Sequence, residues 1–286
     1  MHIEYPHVAA DLASQLAERA HALRMLILRT HAAAGQGHLG SSLSIVEILV
    51  ALMSSGVETG SWGKAPHGDR IVLSKGHAAL AFYCALAQTG LIPQRDLESF
   101  SRNGGKLEPH PNERTVPAVQ ASTGSLGQGL SIGVGLALGS RMCGHNDSCF
   151  VILGDGELNE GQCWEAAMSA SRLRLGNLVA VVDANGFQQD GPMDEIMPVT
   201  GLAEAWRTLG SAAAEVDGHD CAMLLATLAA TRSADRPALI VARTVKGRGV
   251  PFIEHMTESH FPPPLTAAEL VMIDQLAAKG TANARG

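Results

Sequence analysis

Aromatic side chains make up only 4% of the 286 residues and charged ones 17%. A core short of rings has to be filled by aliphatic side chains, and the 46% hydrophobic content with 31 glycines suits closely packed helices and turns. That much apolar material excludes disorder as the dominant state. Cysteine is sparse as well. Cys84, Cys143, Cys149, Cys163 and Cys221 form a scattered, odd set with no C-x-x-C pair, which argues against a disulfide frame or zinc site and for reduced thiols in a cytoplasmic protein. No apolar run approaches the roughly 20 residues that span a bilayer. The longest, around Leu130 to Leu138, is broken by Gly133 and Gly135, so no membrane association is expected. The first ten residues carry Glu4 and Pro6 without an apolar stretch, and no secretory signal is expected there. Basic residues are outnumbered, 21 to 28, and form no run. Nucleic acid is therefore an unexpected partner, and an anionic ligand has to be met locally.

What is present is periodic. Leu12, Leu16, Leu23, Leu26 and Ile27 have helical spacing within residues 8–33, ahead of a Gly-rich stretch at 35–40. Ser44 is expected to cap a short helix reaching Met53, and residues 78–88 to form another, closed by Gly90 and Pro93. Between 99 and 123 the composition turns to Gly, Pro, Asn and charge, a long loop of the kind compact domains keep for function. From Cys149 onward, apolar runs at 150–153, 178–182, 213–216 and 238–242 alternate with helical segments near 161–173, 202–209 and 221–230. This pattern predicts an α/β fold: a mostly parallel central sheet with helices on both faces, binding its ligand beyond the carboxyl ends of the strands. Without repeats or a linker, residues 1–276 read as a single domain and 277–286 as a flexible tail.

The segment GDGELNEGQCWEAA, residues 154–167, follows an apolar strand and opens a helix. A helix start offers unpaired N–H groups to phosphate. Asn159 stands where a dinucleotide fingerprint needs its last glycine, and no Walker A lysine motif occurs. Asp155 puts a carboxylate at the same anion site, which is repulsive unless a cation such as Mg²⁺ lies between. The next strand ends at Asn185, thirty positions on, where adjacent parallel strands would set it beside Asp155. Spacing alone leaves two readings open: a metal site, or a helix cap at Asp155 and an Asn turn at Asn185.

GDG followed about thirty residues later by Asn resembles the diphosphate motif of thiamine diphosphate enzymes, and residues 154–191 resemble its transketolase version. The likeness includes GHLGSSLSIVEIL (37–49), DRIVLSKGHAALAFY (69–83), KLEPHP (106–111) and ASTGSLGQGLSIGVGLA (121–137), in family order. It implies a thiamine diphosphate-binding PP-type domain, with Asp155, the Asn185 side chain and the Phe187 carbonyl on Mg²⁺ and Gly156 at the diphosphate. Of twelve histidines, His2, His7, His21, His31, His67, His145, His219 and His255 read as structural or exposed. The others sit in the resembling motifs, which implies a diphosphate contact for His77, substrate contacts for His38 and His110, and both for His260. Neutral imidazoles suit hydroxyl recognition and proton transfer near pH 7.

The resemblance further implies that Gly124, Ser125 and Leu126 lie along the cofactor. Glu160 and Glu165, by themselves dipole-favoured acids at a helix start, would join a carboxylate network crossing to a partner site. Three residues depart from the family pattern: Pro109 and Phe261 each replace an expected Gly, and Ser259 an expected Trp, which puts the ordinary sugar phosphate specificity in doubt. The family's pyrimidine-gripping domain finds no counterpart here. The expectation is therefore the N-terminal subunit of a split transketolase, paired with a C-terminal subunit carrying the pyrimidine-binding domain as an α2β2 heterotetramer. It would transfer a two-carbon ketol unit from a sugar or sugar phosphate donor to an aldehyde acceptor. Alternatives are another thiamine diphosphate carboligase or decarboxylase component (1-deoxyxylulose-phosphate-synthase-like or E1-like), or a non-catalytic cofactor-binding relic.

Overall fold

The computed structural model describes residues 9–55, 68–232 and 235–283. His2, His7, His67 and the last three residues of the expected tail lie outside them. In chain order the main elements are α1 (Ala10–Ala34), α2 (Leu39–Leu43), α3 (Val46–Ser54), β1 (Arg70–Leu73), α4 (Ala79–Gln88), α5 (Gln128–Met142), β2 (Cys149–Gly154), α6 (Gly161–Arg172), β3 (Leu178–Ala184), α7 (Met193–Ile196), α8 (Leu202–Thr208), β4 (Ala212–Asp217), α9 (Cys221–Thr231), β5 (Ala238–Arg243) and α10 (Ala267–Asn283).

The five strands form one sheet in the order β1-β2-β3-β5-β4, and every pairing is parallel. Strands β2 and β3 are buried along their whole length, as their apolar runs require, and the one charge within them, Asp183, lies near the carboxyl end of β3. Alternate residues face opposite layers. Phe150, Ile152, Val179, Val181 and Ile240 pack with α1, α3, α4 and α9, while Val151, Leu153, Ala180, Val182 and Val241 pack with α5, α6 and α8. The chain runs β1, β2, β3, then skips to the edge at β4 and returns through α9 to β5. The crossovers α6 and α8 therefore share one face, and α9 takes the other.

The helix and strand alternation expected from 149 onward is present, and so is the long irregular stretch between α4 and α5. Two local expectations change, at Ser44 and in the tail, and two features are added. Ser44 does not open the helix reaching Met53; it follows α2, and its hydroxyl donates to Asp183 Oδ2 at 2.7 Å. After Asp155 comes a short 3-10 turn, Gly156–Asn159, and the expected helical segment, α6, begins at Gly161. The strand at Arg70–Leu73 joins the sheet edge. The expected tail is helical through Asn283, with Leu276 and Ala277 packed on the core.

Candidate active site

The carboxyl ends of β1, β2 and β3 converge on one cavity of about 390 Å³, lined by His38, Ser41, Lys75, His77, His110, Gly124, Leu126, Gly154, Asp155, Gly156, Glu157, Asn185, Phe187, Gln188, Gln189, Asp190 and His260. Its floor is built from charge buried in pairs. Lys75, directly after β1, and Asp183, at the end of β3, form an ion pair whose side chains are 1% and 0% exposed. Asp183 also accepts from Ser44, from Asn185 Nδ2 at 2.9 Å and from the Thr244 hydroxyl. Burial would raise its pKa, but the Lys75 ammonium and these donors more than offset that, and the carboxyl lies below its ordinary range. Glu157 accepts from Ser74, from Gly127 N–H at 3.0 Å and from Gly154 N–H at 3.1 Å, and burial pushes its pKa up.

Asp155 and Asn185 meet where the spacing predicted. In the register Gly154 lies opposite Asp183, and Asp155 Oδ2 accepts from Gly186 N–H at 2.7 Å. Oδ1 accepts from Gly156 N–H at 2.8 Å, so the capping role and a place in the cavity coexist. Burial, reinforced by the Asp183 charge, raises the Asp155 carboxyl to about 6. Such a carboxylate lacks full compensation from the protein, and each of its oxygens keeps a lone pair. With the Asn185 amide oxygen and the Phe187 carbonyl, the donor set is all oxygen and few in number, which fits Mg²⁺ completed by phosphate and water.

The four histidines singled out in the sequence come together as one group. The His38 ring lies 5.4 Å from His77, 5.8 Å from His110 and 5.0 Å from His260, and His77 lies 5.2 Å from His260. Burial lowers the pKa of each, to about 4 for His38 and about 3 for His260, with neighbouring cations and imidazoles adding to the effect at His38, His77 and His260. All four are neutral at pH 7, and His38 Nδ1 is buried without a hydrogen-bond partner among the described residues. Gly76 lets the loop holding Gly124 close over this turn, because a Cβ there would stand 2.7 Å from Gly124 N.

Other expected residues divide. Gly124 and Leu126 line the cavity, whereas Ser125, Glu160 and Glu165 are exposed and do not. Phe261 stands at the rim, 53% exposed, with its ring edge-on to His38 at 5.0 Å. Pro109 is exposed beside His110. Ser259, the third departure from the family pattern, does not line the cavity: it is buried against α2, its Oγ 2.3 Å from where a Cβ on Gly40 would sit. The motif reading passed over Lys75, Glu157, Asp183 and Lys246. Lys246 donates to the Gln188 carbonyl at 3.0 Å and lies 5.3 Å from the Phe187 ring centre. Burial, then the Lys75 charge, lowers its pKa to about 8. Their common signal is an ionisable residue within a few positions of a strand's carboxyl end.

Residues 16–278 match the family described as transketolase, thiamine diphosphate binding domain. The chain is 40% identical over 86% of its length to the 6-deoxy-6-sulfo-D-fructose transketolase subunit of Clostridium sp. strain MSTE9, covering 90% of that protein. It is 36% identical over 87% of its length to an apulose-4-phosphate transketolase subunit from Actinobacillus succinogenes, covering 91%. Against the human transketolase-like protein 2, 37% identity over 87% of this chain spans only 40% of the relative. The solved transketolase of Pichia stipitis in complex with sedoheptulose 7-phosphate superposes with a TM-score of 0.84 at 29% identity, over 94% of this chain and 41% of that one. A cavity of neutral histidines and paired charge at parallel strand ends, on a sequence matched from 16 to 278, makes this chain a member of the transketolase family, through its thiamine diphosphate binding domain.

Proposed function

We propose that this chain is the diphosphate-binding subunit of a two-chain transketolase, which with thiamine diphosphate, Mg²⁺ and a pyrimidine-binding partner chain moves a two-carbon ketol unit from a ketose or ketose phosphate to an aldehyde. The observation that carries the reading is coverage: about nine-tenths of the dedicated transketolase subunits, against 40% of the transketolase-like relative. The assembly we expect is an α2β2 heterotetramer in which the partner completes the cavity. A cytoplasmic setting accords with the free cysteines.

Bound thiamine diphosphate supplies the carbon nucleophile and electron sink that cleavage between C2 and C3 of a ketose needs. The protein's part is to hold and to move protons. Asp155, Asn185 and the Phe187 carbonyl would hold Mg²⁺, with Gly156, His77 and the Lys246 charge toward the diphosphate. Leu126 offers an apolar wall, and Gly124 with its neighbour Ser125 a backbone surface without a bulky side chain. His38, His110 and His260, neutral and able to donate or accept, suit the sugar hydroxyls. His38, whose ring lies among the other three imidazoles, would be the group to take and return a hydroxyl proton as the carbon–carbon bond breaks.

The test is reconstitution. The purified chain with thiamine diphosphate and Mg²⁺ should turn over no ketose donor, and adding a chain bearing the pyrimidine-binding domain should restore transfer. The donors to try include xylulose 5-phosphate and the 6-deoxy-6-sulfo-D-fructose and apulose 4-phosphate named for the relatives. Robust turnover by the single chain would refute the two-chain reading.

A further inference from the structure

Residues 244–249 leave β5 and place Lys246 against Gln188 and Phe187. Much of the support for this loop comes from behind, away from the cavity. His219 Nε2 accepts from the Val245 N–H at 2.8 Å, and Arg24 Nε donates to the Arg248 carbonyl at 2.8 Å. Both side chains also converge on Glu47 of α3. Arg24 Nη2 donates to Oε1 at 2.5 Å, and His219 Nδ1 lies 2.9 Å from Oε2. Burial alone would raise the Glu47 pKa, yet the His219 hydrogen bond and the Arg24 charge bring it below the ordinary carboxylate range, so it is ionised. A backbone N–H can only donate. His219 Nε2 therefore carries no proton, and the ring proton sits on Nδ1, aimed at Glu47. Gly249, at φ +83°, admits the arginine, since a Cβ there would stand 2.7 Å from Arg24 Cδ and Nε.

None of the three side chains lines the cavity. Buried ionic clusters are often replaceable by apolar residues without loss of stability, so stability alone is a weak reason for this one. Its outward bonds supply a better reason: one from His219 and one from Arg24, both to the backbone of the same loop. We infer that Arg24, Glu47 and His219 are positioning residues that fix the 244–249 loop, and through it the Lys246 ammonium, at the cofactor end of the cavity. Naming that end rests on the function proposed above.

The two ring nitrogens can be separated by substitution. His219→Gln sets an amide oxygen near the Nε2 position, keeping an acceptor for Val245 and giving up the donor to Glu47; His219→Asn does the reverse. The full chain is compared by hydrogen exchange over residues 244–250 and by calorimetric titration with thiamine diphosphate and Mg²⁺. H219N should speed exchange in the loop about tenfold, as expected for an unmet buried N–H, and weaken cofactor binding by about the same factor. Protection of β2 and β3 should not change. H219Q should stay within about threefold of the parent in both measurements, a difference under 1 kcal/mol. Equal losses in the two variants, or a larger loss in H219Q, would overturn the positioning role in favour of a plain ion cluster. The exchange measurement needs no cofactor, so a parent chain that binds no thiamine diphosphate would count against the proposed function while the loop result stood separately.

Discussion

Removing the ammonium from beneath the site, with Lys75→Met, would strand the Asp183 carboxylate in a place with 0% side-chain exposure. Its remaining donors are two hydroxyls, from Ser44 and Thr244, and the Asn185 amide. None of these carries charge. Breaking one side of a buried ion pair typically costs about 3–5 kcal/mol, because the survivor keeps its desolvation cost and loses its counterion. Asp183→Asn strands the lysine instead. The Ser41 carbonyl, 3.4 Å away, and the amide oxygen at position 183 can still accept from Nζ, but neither supplies a countercharge, so the loss should be of similar size. Combining the two removes both charges of the pair. The double variant should lose less than either single one, with a coupling energy of about 3 kcal/mol or more. Urea denaturation of the full chain, followed by circular dichroism for all four forms, reads these differences directly. Single losses below about 1 kcal/mol would place the pair among exposed ion pairs in strength. Strictly additive losses would show that the two charges do not depend on one another. Either result would refute the description of the pair as the charged floor of the site.

Two further outcomes follow from the same geometry. Asp155→Ala should weaken Mg²⁺-dependent thiamine diphosphate binding more than about a hundredfold, since substitutions one layer out from a metal already cost about 10–100-fold; calorimetry with and without Mg²⁺ checks this, and undiminished affinity would remove Asp155 from the metal site. His31, 0% exposed and away from the cavity, has its pKa lowered by burial to about 4. The unfolded chain, with an ordinary value near 6.5, then binds more protons. The stability from neutral His31 is complete above about pH 6.5 and falls as pH drops toward 4, by about 3 kcal/mol at 1.36 kcal/mol per unit. His31→Leu should flatten part of the acid limb of a stability–pH profile, and an unchanged slope would contradict the assignment.

The sheet was legible where its strands hold continuous apolar runs bounded by turns, as at 150–153 and 178–182 within β2 and β3. Arg70–Leu73 escaped because four residues starting with an arginine carry too little pattern. Helix α5 escaped because its glycines mask helical propensity, and it is held instead by Leu130 and Ala137 packing on the sheet. Short motifs exposed Asp155, Asn185 and the four histidines, since the turns that present them are local. The roles of Lys75 and Glu157 were not legible in that way. Lys75 acquires its meaning from Asp183, 108 residues on, and Glu157 from Ser74, 83 residues back. The same holds for Ser44, read as a local cap when its hydroxyl serves a carboxylate 139 positions away.

That difference follows how charge and neutrality are divided within the site. The ionic groups of the floor, and those behind it, have protein partners already: Lys75 with Asp183 and Glu157 with a hydroxyl and two N–H groups in the floor, Glu47 with Arg24 and His219 behind the 244–249 loop. Four neutral imidazoles and the incompletely compensated Asp155 are left facing the cavity. A site built this way does not have to break strong internal pairs in order to bind. It keeps its donors and acceptors oriented before the ligand arrives, the condition under which fixed dipoles act without reorganisation. It also explains why binding should depend on groups that touch no ligand. If the frame is what fixes the imidazoles and Lys246, loosening it at His219 or Asp183 should disturb cofactor affinity even with every cavity-lining side chain intact.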